Sequence, residues 1–213
     1  MKQKTIIYID AFNLYYGCLK KSSYKWLDIK SLFTKLLDDS HEIVEIKYFT
    51  SLISHRSGNE VSRLRQKTYI KAIEAFTPEI KIFYGHYLTH PVKAKVVVPP
   101  PEFTQIYKTE EKGTDVNIAI HLLDDAWRNE YDCAVLVSND SDLATSLKFI
   151  KKHPFKKIGL ILPFESNDKR RKPSRELIQH VDFIKNIRHN ILKNSQLPDI
   201  IASGKIRKPN AWL

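Results

Sequence analysis

Two short apolar runs constrain this chain more than any other feature. Ile6-Ile7-Tyr8-Ile9 and Ala134-Val135-Leu136-Val137 show none of the apolar–polar alternation of a half-exposed strand. Runs of this length and kind suit strands buried on both faces, the condition of central strands in a parallel sheet. Further strands are expected at Ile43–Thr50 and Ile158–Leu162, with a short final strand or helix at Val181–Ile187. Amphipathic helices are expected between them. Asp28–Leu37 carries Ile29, Leu32, Phe33, Leu36 and Leu37 on one stripe, and Glu60–Phe76 is ended by the Thr77-Pro78 step. Asp142–Lys152 faces its core through Leu143, Leu147 and Ile150, and Arg175–Gln179 reads as a short helix. Strand-then-helix units repeated in this way predict an α/β fold: a central, mainly parallel sheet of five or six strands with helices on both faces.

Two regions are read in more detail. Thr114 is the expected N-cap of a helix from Asp115 to about Arg128, with Val116, Ala119, Ile120, Leu123 and Trp127 turned inward. Glu79–Tyr87 and Val92–Val98 read as a marginal hairpin turning at His90-Pro91, followed by an extended connection through Pro99–Pro101. Residues 1–188 form the expected domain. The segment 189–213, with Pro198, Gly204 and Pro209, has too little apolar periodicity to be a domain of its own.

The acids stand where the apolar strands stop. Asp10 closes the first strand, with Asn13 three residues on. Asp140 and Asp142 follow the strand ending at Val137, and Asp115 opens a helix after Lys112-Gly113-Thr114. In an open parallel sheet, ligands bind beyond the carboxyl ends of the strands, near the point where strand order reverses. Three separate segments would thus bring four carboxylates to one rim. Their hard oxygens suit Mg²⁺ or Mn²⁺, and their mutual repulsion is relieved by a cation that could also activate water and clamp a phosphate. Taken singly, Asp115, Asp140 and Asp142 could each merely cap a helix. Asp10, ending a buried strand, has no obvious structural task.

Charge supplies the partner. Lys plus Arg number 35 against 24 acids, for a net charge of +11, a balance that draws polyanions. Basic residues gather at Arg63, Arg65 and Lys67, along Lys148–Lys157, at Lys169-Arg170-Arg171-Lys172 and at Lys205-Ile206-Arg207-Lys208. An acidic notch in a basic body is what metal-dependent phosphodiester hydrolysis requires. Tyr15, Tyr16 and Trp26 are candidates to stack on bases or to fill the core. His86 and His90 are four apart, but their strand context spoils the helical geometry of a zinc pair. The chain holds no glycine-rich phosphate loop, dinucleotide fingerprint or nucleophile elbow, which argues against nucleotide-cofactor and serine-hydrolase classes. Cys18 and Cys133 form no metal pair or disulfide framework, and no apolar run is long enough to span a membrane. A reduced, cytoplasmic compartment is the expectation.

Three ordered motifs resemble those of the NYN domain family, also called LabA-like or DUF88 proteins, within the PIN-like nuclease superfamily. Ile7-Tyr8-Ile9-Asp10-Ala11-Phe12-Asn13-Leu14-Tyr15-Tyr16 resembles the family's opening signature, and Lys112-Gly113-Thr114-Asp115-Val116 its central motif. Leu136-Val137-Ser138-Asn139-Asp140-Ser141-Asp142-Leu143 resembles its Ser-Gly-Asp-Ser-Asp-Phe motif, with Asn139 in place of Gly and Leu143 in place of Phe. The resemblance covers about residues 4 to 187. It implies a PIN-like (Rossmannoid) three-layer sandwich and a ribonuclease dependent on Mg²⁺ or Mn²⁺. It carries metal ligation, directly or through water, onto Asp10, Asp115, Asp140 and Asp142. Asn13 would orient a ligand or the phosphate, and Ser138 and Ser141 would bond metal-bound water or brace the turn. Lys112, Lys169, Arg170, Arg171 and Lys172 are the expected contacts to RNA, together with Ser138 and Ser141. Two rival readings stay open, a non-catalytic RNA-binding adaptor and a metal-dependent enzyme acting on a small molecule, and the sequence is compatible with a homodimer.

Overall fold

The computed structural model describes residues 2–53, 59–153, 155–165, 168 and 171–212. Lys169 and Arg170 lie outside the described residues. Chain order is β1 (Gln3–Asp10), α1 (Ala11–Leu14), α2 (Ile29–Leu36), β2 (His41–Thr50), α3 (Glu60–Phe76), β3 (Ile80–Tyr84), β4 (His86–Lys95), β5 (Phe103–Lys112) and α4 (Thr114–Trp127). There follow β6 (Cys133–Val137), α5 (Ala144–Ile150), β7 (Lys157–Leu162), α6 (Arg175–Ile178), β8 (Phe183–Asn186), α7 (His189–Lys193), β9 (Ile200–Ile201) and β10 (Ile206–Arg207).

Six strands form one sheet in the order β3-β2-β1-β6-β7-β8, every neighbouring pair parallel. Successive side chains of a strand point to opposite faces, and here each face meets a helical layer. Ile7, Ile9, Val135 and Val137 pack with α2 and α3, whereas Ile6, Tyr8, Ala134 and Leu136 pack with α4 and α5. The unalternating apolar runs are explained by these two cores. No helix among the described residues is long and apolar enough to cross a membrane.

The order reverses between β1 and β6. Chain leaving β1 moves outward through β2 to β3, and after β6 it moves the other way through β7 to β8. The cleft between the carboxyl ends of these two strands is the topological switch point.

Three expectations are corrected. Only Ala119 of the five residues assigned inward on α4 packs against the core; the buried face is Ile118, Leu122, Asp125 and Ala126. Val116, Ile120, Leu123 and Trp127 are exposed, Trp127 by 80%. The register turns on Asp125, which is buried because Lys47 Nζ and Tyr8 Oη both donate to its Oδ2 at 2.5 Å. A charge in an apolar stripe reads as an outward position until its partners, distant in sequence, are known.

The hairpin also differs from its expected form. His90-Pro91 lies inside β4, and β4 pairs antiparallel with β5 from His86↔Lys112 to Lys95↔Phe103. The turn falls in residues 96–102, and the two strands form a ribbon separate from the main sheet. Pro91 is tolerated because a two-stranded ribbon has only edge strands.

Third, Trp26 is fully buried, its indole Nε1 donating to Pro198 O at 2.9 Å, so it does not stack on a ligand. Segment 189–213 is built into the domain: Leu192, Leu197 and Ile201 are buried in the core of α2 and α3, and Trp212 lies 6.2 Å from both Trp26 and Tyr69.

A candidate carboxylate site at the switch point

Asp10 lies at the base of the cleft, 2% exposed. It has a structural task after all, as the N-cap of α1: Asn13 N donates to Oδ1 at 2.9 Å and Asn13 Nδ2 to Oδ2 at 2.6 Å. Ser138 Oγ donates to Oδ2 at 3.0 Å. A carboxylate oxygen has about two lone-pair positions, so Oδ2 is filled while Oδ1 retains one. Burial raises the Asp10 pKa, against the lowering by the Asn13 and Ser138 hydrogen bonds, and the Asp140 charge raises it further.

The turn after β6 is braced from several sides. Ser138 Oγ also accepts from Asp140 N at 3.1 Å, and Asp140 Oδ1 accepts from Asp142 N at 3.0 Å. Ser138 is fully buried and therefore cannot touch a nucleic acid, which corrects its expected binding role; it fixes Asp10 and the turn instead. Ser141 and Asp142 are exposed at the cleft mouth. Asn139, the departure from the family's usual Gly, bridges outward. Its N donates to Asn13 Oδ1 at 3.2 Å, its Nδ2 to Lys172 O at 3.1 Å, and its Oδ1 accepts from Ser174 N at 2.8 Å. A glycine could make only the first bond, so Asn139 ties the aspartate turn to the basic segment.

Asp115 enters from α4. Gly113, at φ +94°, holds the N-cap position, and no side chain caps this helix. Thr114 is the first helical residue rather than the cap, because its hydroxyl donates to Glu111 Oε1. Asp115 has no hydrogen-bond or ion-pair partner among the described residues, and its pKa is pushed up to about 6. Burial is the main cause, followed by the charges of Asp10, Asp140, Glu111 and Asp142. The three segments therefore do converge electrostatically. Among the described residues, however, no group of three His, Cys, Asp or Glu side chains stands close enough to hold an ion directly.

Glu111 is an acid that the sequence reading missed. It accepts from Ser51 Oγ at 2.8 Å as well as from Thr114, tying the residue that follows β2 to β5 and α4 at the rim. A Cβ at Gly85 would collide with its carboxylate, with the Ser51 hydroxyl and with the Lys112 carbonyl. The signal was its position three residues before Thr114, in the run Glu110-Glu111-Lys112-Gly113-Thr114-Asp115.

The basic residues divide. Arg171 reaches the rim, donating to Tyr16 O at 2.7 Å, and Lys172 is exposed. Lys112 is exposed and pairs with Glu110 at 3.3 Å. Tyr15 and Tyr16, 37% and 54% exposed, meet edge-to-face at 5.2 Å beside the cleft. His86 and His90 lie on β4, and His121 packs against Phe83 at 4.2 Å rather than in the cleft.

A six-stranded parallel sheet with aspartates at its switch point defines a PIN-like α/β protein. Residues 4–187 match the NYN domain, and the chain belongs to that family. It is 34% identical to the 6-hydroxy-3-succinoylpyridine 3-monooxygenase HspA of Pseudomonas putida, over 98% of this chain and 75% of that protein. A solved structure of a protein of unknown function from Vibrio parahaemolyticus resembles it in fold, with a TM-score of 0.56 at 17% identity, covering 92% of this chain and 97% of that one.

Proposed function

We propose that the chain is a metal-dependent ribonuclease whose site is formed by Asp10, Asp115, Asp140 and Asp142. The convergence of acids from three segments carries the reading: burial, and then the charges of Asp10, Asp140, Glu111 and Asp142, raise the Asp115 pKa, and none of the four aspartates has an ion-pair partner among the described residues. That shortfall suits a hard divalent cation. The donor set is all oxygen and Asp10 Oδ1 keeps a free lone pair, a chemistry that suits Mg²⁺ or Mn²⁺; because no three of these side chains among the described residues stand close enough to hold an ion directly, water would complete its shell. When bound, such an ion would lower the pKa of a water and offset charge on a phosphate. The protein's own groups do the rest. Asn13 and Ser138 fix Asp10 in one rotamer, Asn139 holds the aspartate turn against the basic segment, and Arg171, Lys172 and Lys112 offer cations to an RNA backbone.

The test is cleavage of single-stranded and hairpin RNAs with Mn²⁺ or Mg²⁺. Loss of cleavage in EDTA and in Asp140→Asn is expected. RNA binding that survives both, without cleavage in wild type, would replace this reading with the adaptor.

A second reading rests on the 34% identity to HspA, which runs along 98% of the chain. Under it the cleft takes a small hydroxylated pyridine. Consumption of 6-hydroxy-3-succinoylpyridine, with RNA left intact, would move the assignment there.

A further inference from the structure

The β4–β5 ribbon leaves the domain at the rim of the site, and one of its faces continues that rim. Directly paired residues of antiparallel strands share a face. One face thus holds Tyr87 with Glu111, Thr89 with Thr109, Pro91 with Tyr107, Lys93 with Gln105 and Lys95 with Phe103. The 3.0 Å contact of the Thr89 and Thr109 hydroxyls agrees with this pairing. At its base the face joins the site: Tyr87 meets Phe12 edge-to-face at 6.3 Å, and Glu111 bonds Ser51 and Thr114. Burial raises the Tyr87 pKa, and the neighbouring Tyr16 and Glu111 raise it further.

Farther out, the face is aromatic and basic. Tyr107 is 76% exposed, and Lys93 Nζ lies 4.5 Å from the Phe103 ring centroid. Pro91, the rung of Tyr107, lies four positions along from Tyr87, and Lys95, the rung of Phe103, four positions farther. At about 3.4 Å per residue, the track runs for roughly 27 Å. Beyond Glu111 this face carries two cations and no acid, and neither Lys93 nor Lys95 has an ion-pair partner among the described residues. The opposite face differs, since its Lys108 and Lys112 are tied to Glu110 at 2.6 and 3.3 Å.

We infer that this face of the ribbon is a stacking platform for single-stranded RNA, feeding the strand to the aspartate cleft. The inference rests on the ribonuclease reading and deepens it. Stacking on Tyr87, Tyr107 and Phe103 needs bases released from a helix, and Lys93 and Lys95 match phosphates between them. The right-handed twist of a two-stranded ribbon winds the track, which a flexible single strand follows and a stiff duplex does not.

The experiment is fluorescence anisotropy with a labelled single-stranded oligouridylate of roughly a dozen nucleotides, in EDTA. The double variant Tyr107→Ala, Phe103→Ala should bind about tenfold more weakly or worse. Tyr107→Phe with Phe103→Trp should restore binding. Lys93→Ala with Lys95→Ala should flatten the dependence of log affinity on log salt by about one to two units. Unchanged circular dichroism in each variant keeps a folding defect from imitating the result. Unaltered affinity in the aromatic variant, an equal loss on a duplex of the same sequence, or no binding by wild type would each overturn the platform. The readout is independent of turnover. A platform can therefore fail beside intact metal-dependent cleavage, or stand when Asp140→Asn leaves cleavage unchanged and the nuclease reading fails.

Discussion

At the scale of single residues, the site is defined by what compensates each charge. Asp10 has three hydrogen bonds and Asp115 has none among the described residues. The folded pKa of Asp115, about 6, lies above its ordinary value of 3.8. In the window between them the folded state holds more protons than the unfolded state. The metal-free protein should therefore lose stability as pH rises from 3.8 to about 6, by about 1 kcal/mol once solvent screening of this half-buried group is allowed for. Urea melts across that window, in EDTA, should show the slope in wild type and a weaker one in Asp115→Asn. Asp125 is the opposite case, a charge fully answered by Lys47 and Tyr8. Asp125→Ala would leave Lys47 buried and unpaired, at a cost of about 3–5 kcal/mol by denaturant titration. A matching loss in the double variant Lys47→Met, Asp125→Leu would show that packing rather than charge had been measured.

At the scale of elements, α4 does two jobs with two ends. Its first turn delivers Asp115 to the cleft, and its last turns seat Asp125 and Ala126 on the sheet. The assignment of its faces has a direct consequence. Leu122→Ala should destabilise the protein by about 2–5 kcal/mol, as a cavity in the core. Trp127→Ser should change stability by no more than about 0.5 kcal/mol, despite removing the larger side chain. Thermal melts of the two variants decide between this register and the one expected from periodicity alone.

At the scale of the whole molecule, the last residues complete the fold. Leu197 N donates to Trp26 O at 2.9 Å, and Asp28 N to Ser195 O at 2.9 Å, so the strap from 195 to 198 covers the indole and the start of α2. Truncation after Lys193 should expose Trp26, visible as a red-shifted fluorescence maximum, and lower the melting temperature by several degrees. An unshifted spectrum would mean that the core of α2 and α3 closes without this segment.

The sequence by itself determined the layered α/β fold. Strands buried on both faces must be apolar throughout, and that pattern is local and hard to imitate. It also marked Asp10, Asp140 and Asp142, because acids at the ends of such strands fall on one edge of a parallel sheet, and it marked Asp115 as the acid that opens a helix after a glycine turn. Only the tertiary structure decided which face of α4 is inside, since the answer depends on Lys47 and Tyr8, far away in the chain. It alone revealed Glu111 at the rim, Ser138 as a brace and Asn139 as a bridge, because each is defined by partners brought together from different segments. The pairing of the ribbon likewise escaped the sequence reading, which expected a hairpin here but put its turn at His90-Pro91 and gave no strand at Phe103–Lys112. Its strands are exposed and mixed in polarity, and pairing across a proline-rich turn leaves little periodic signal in either strand.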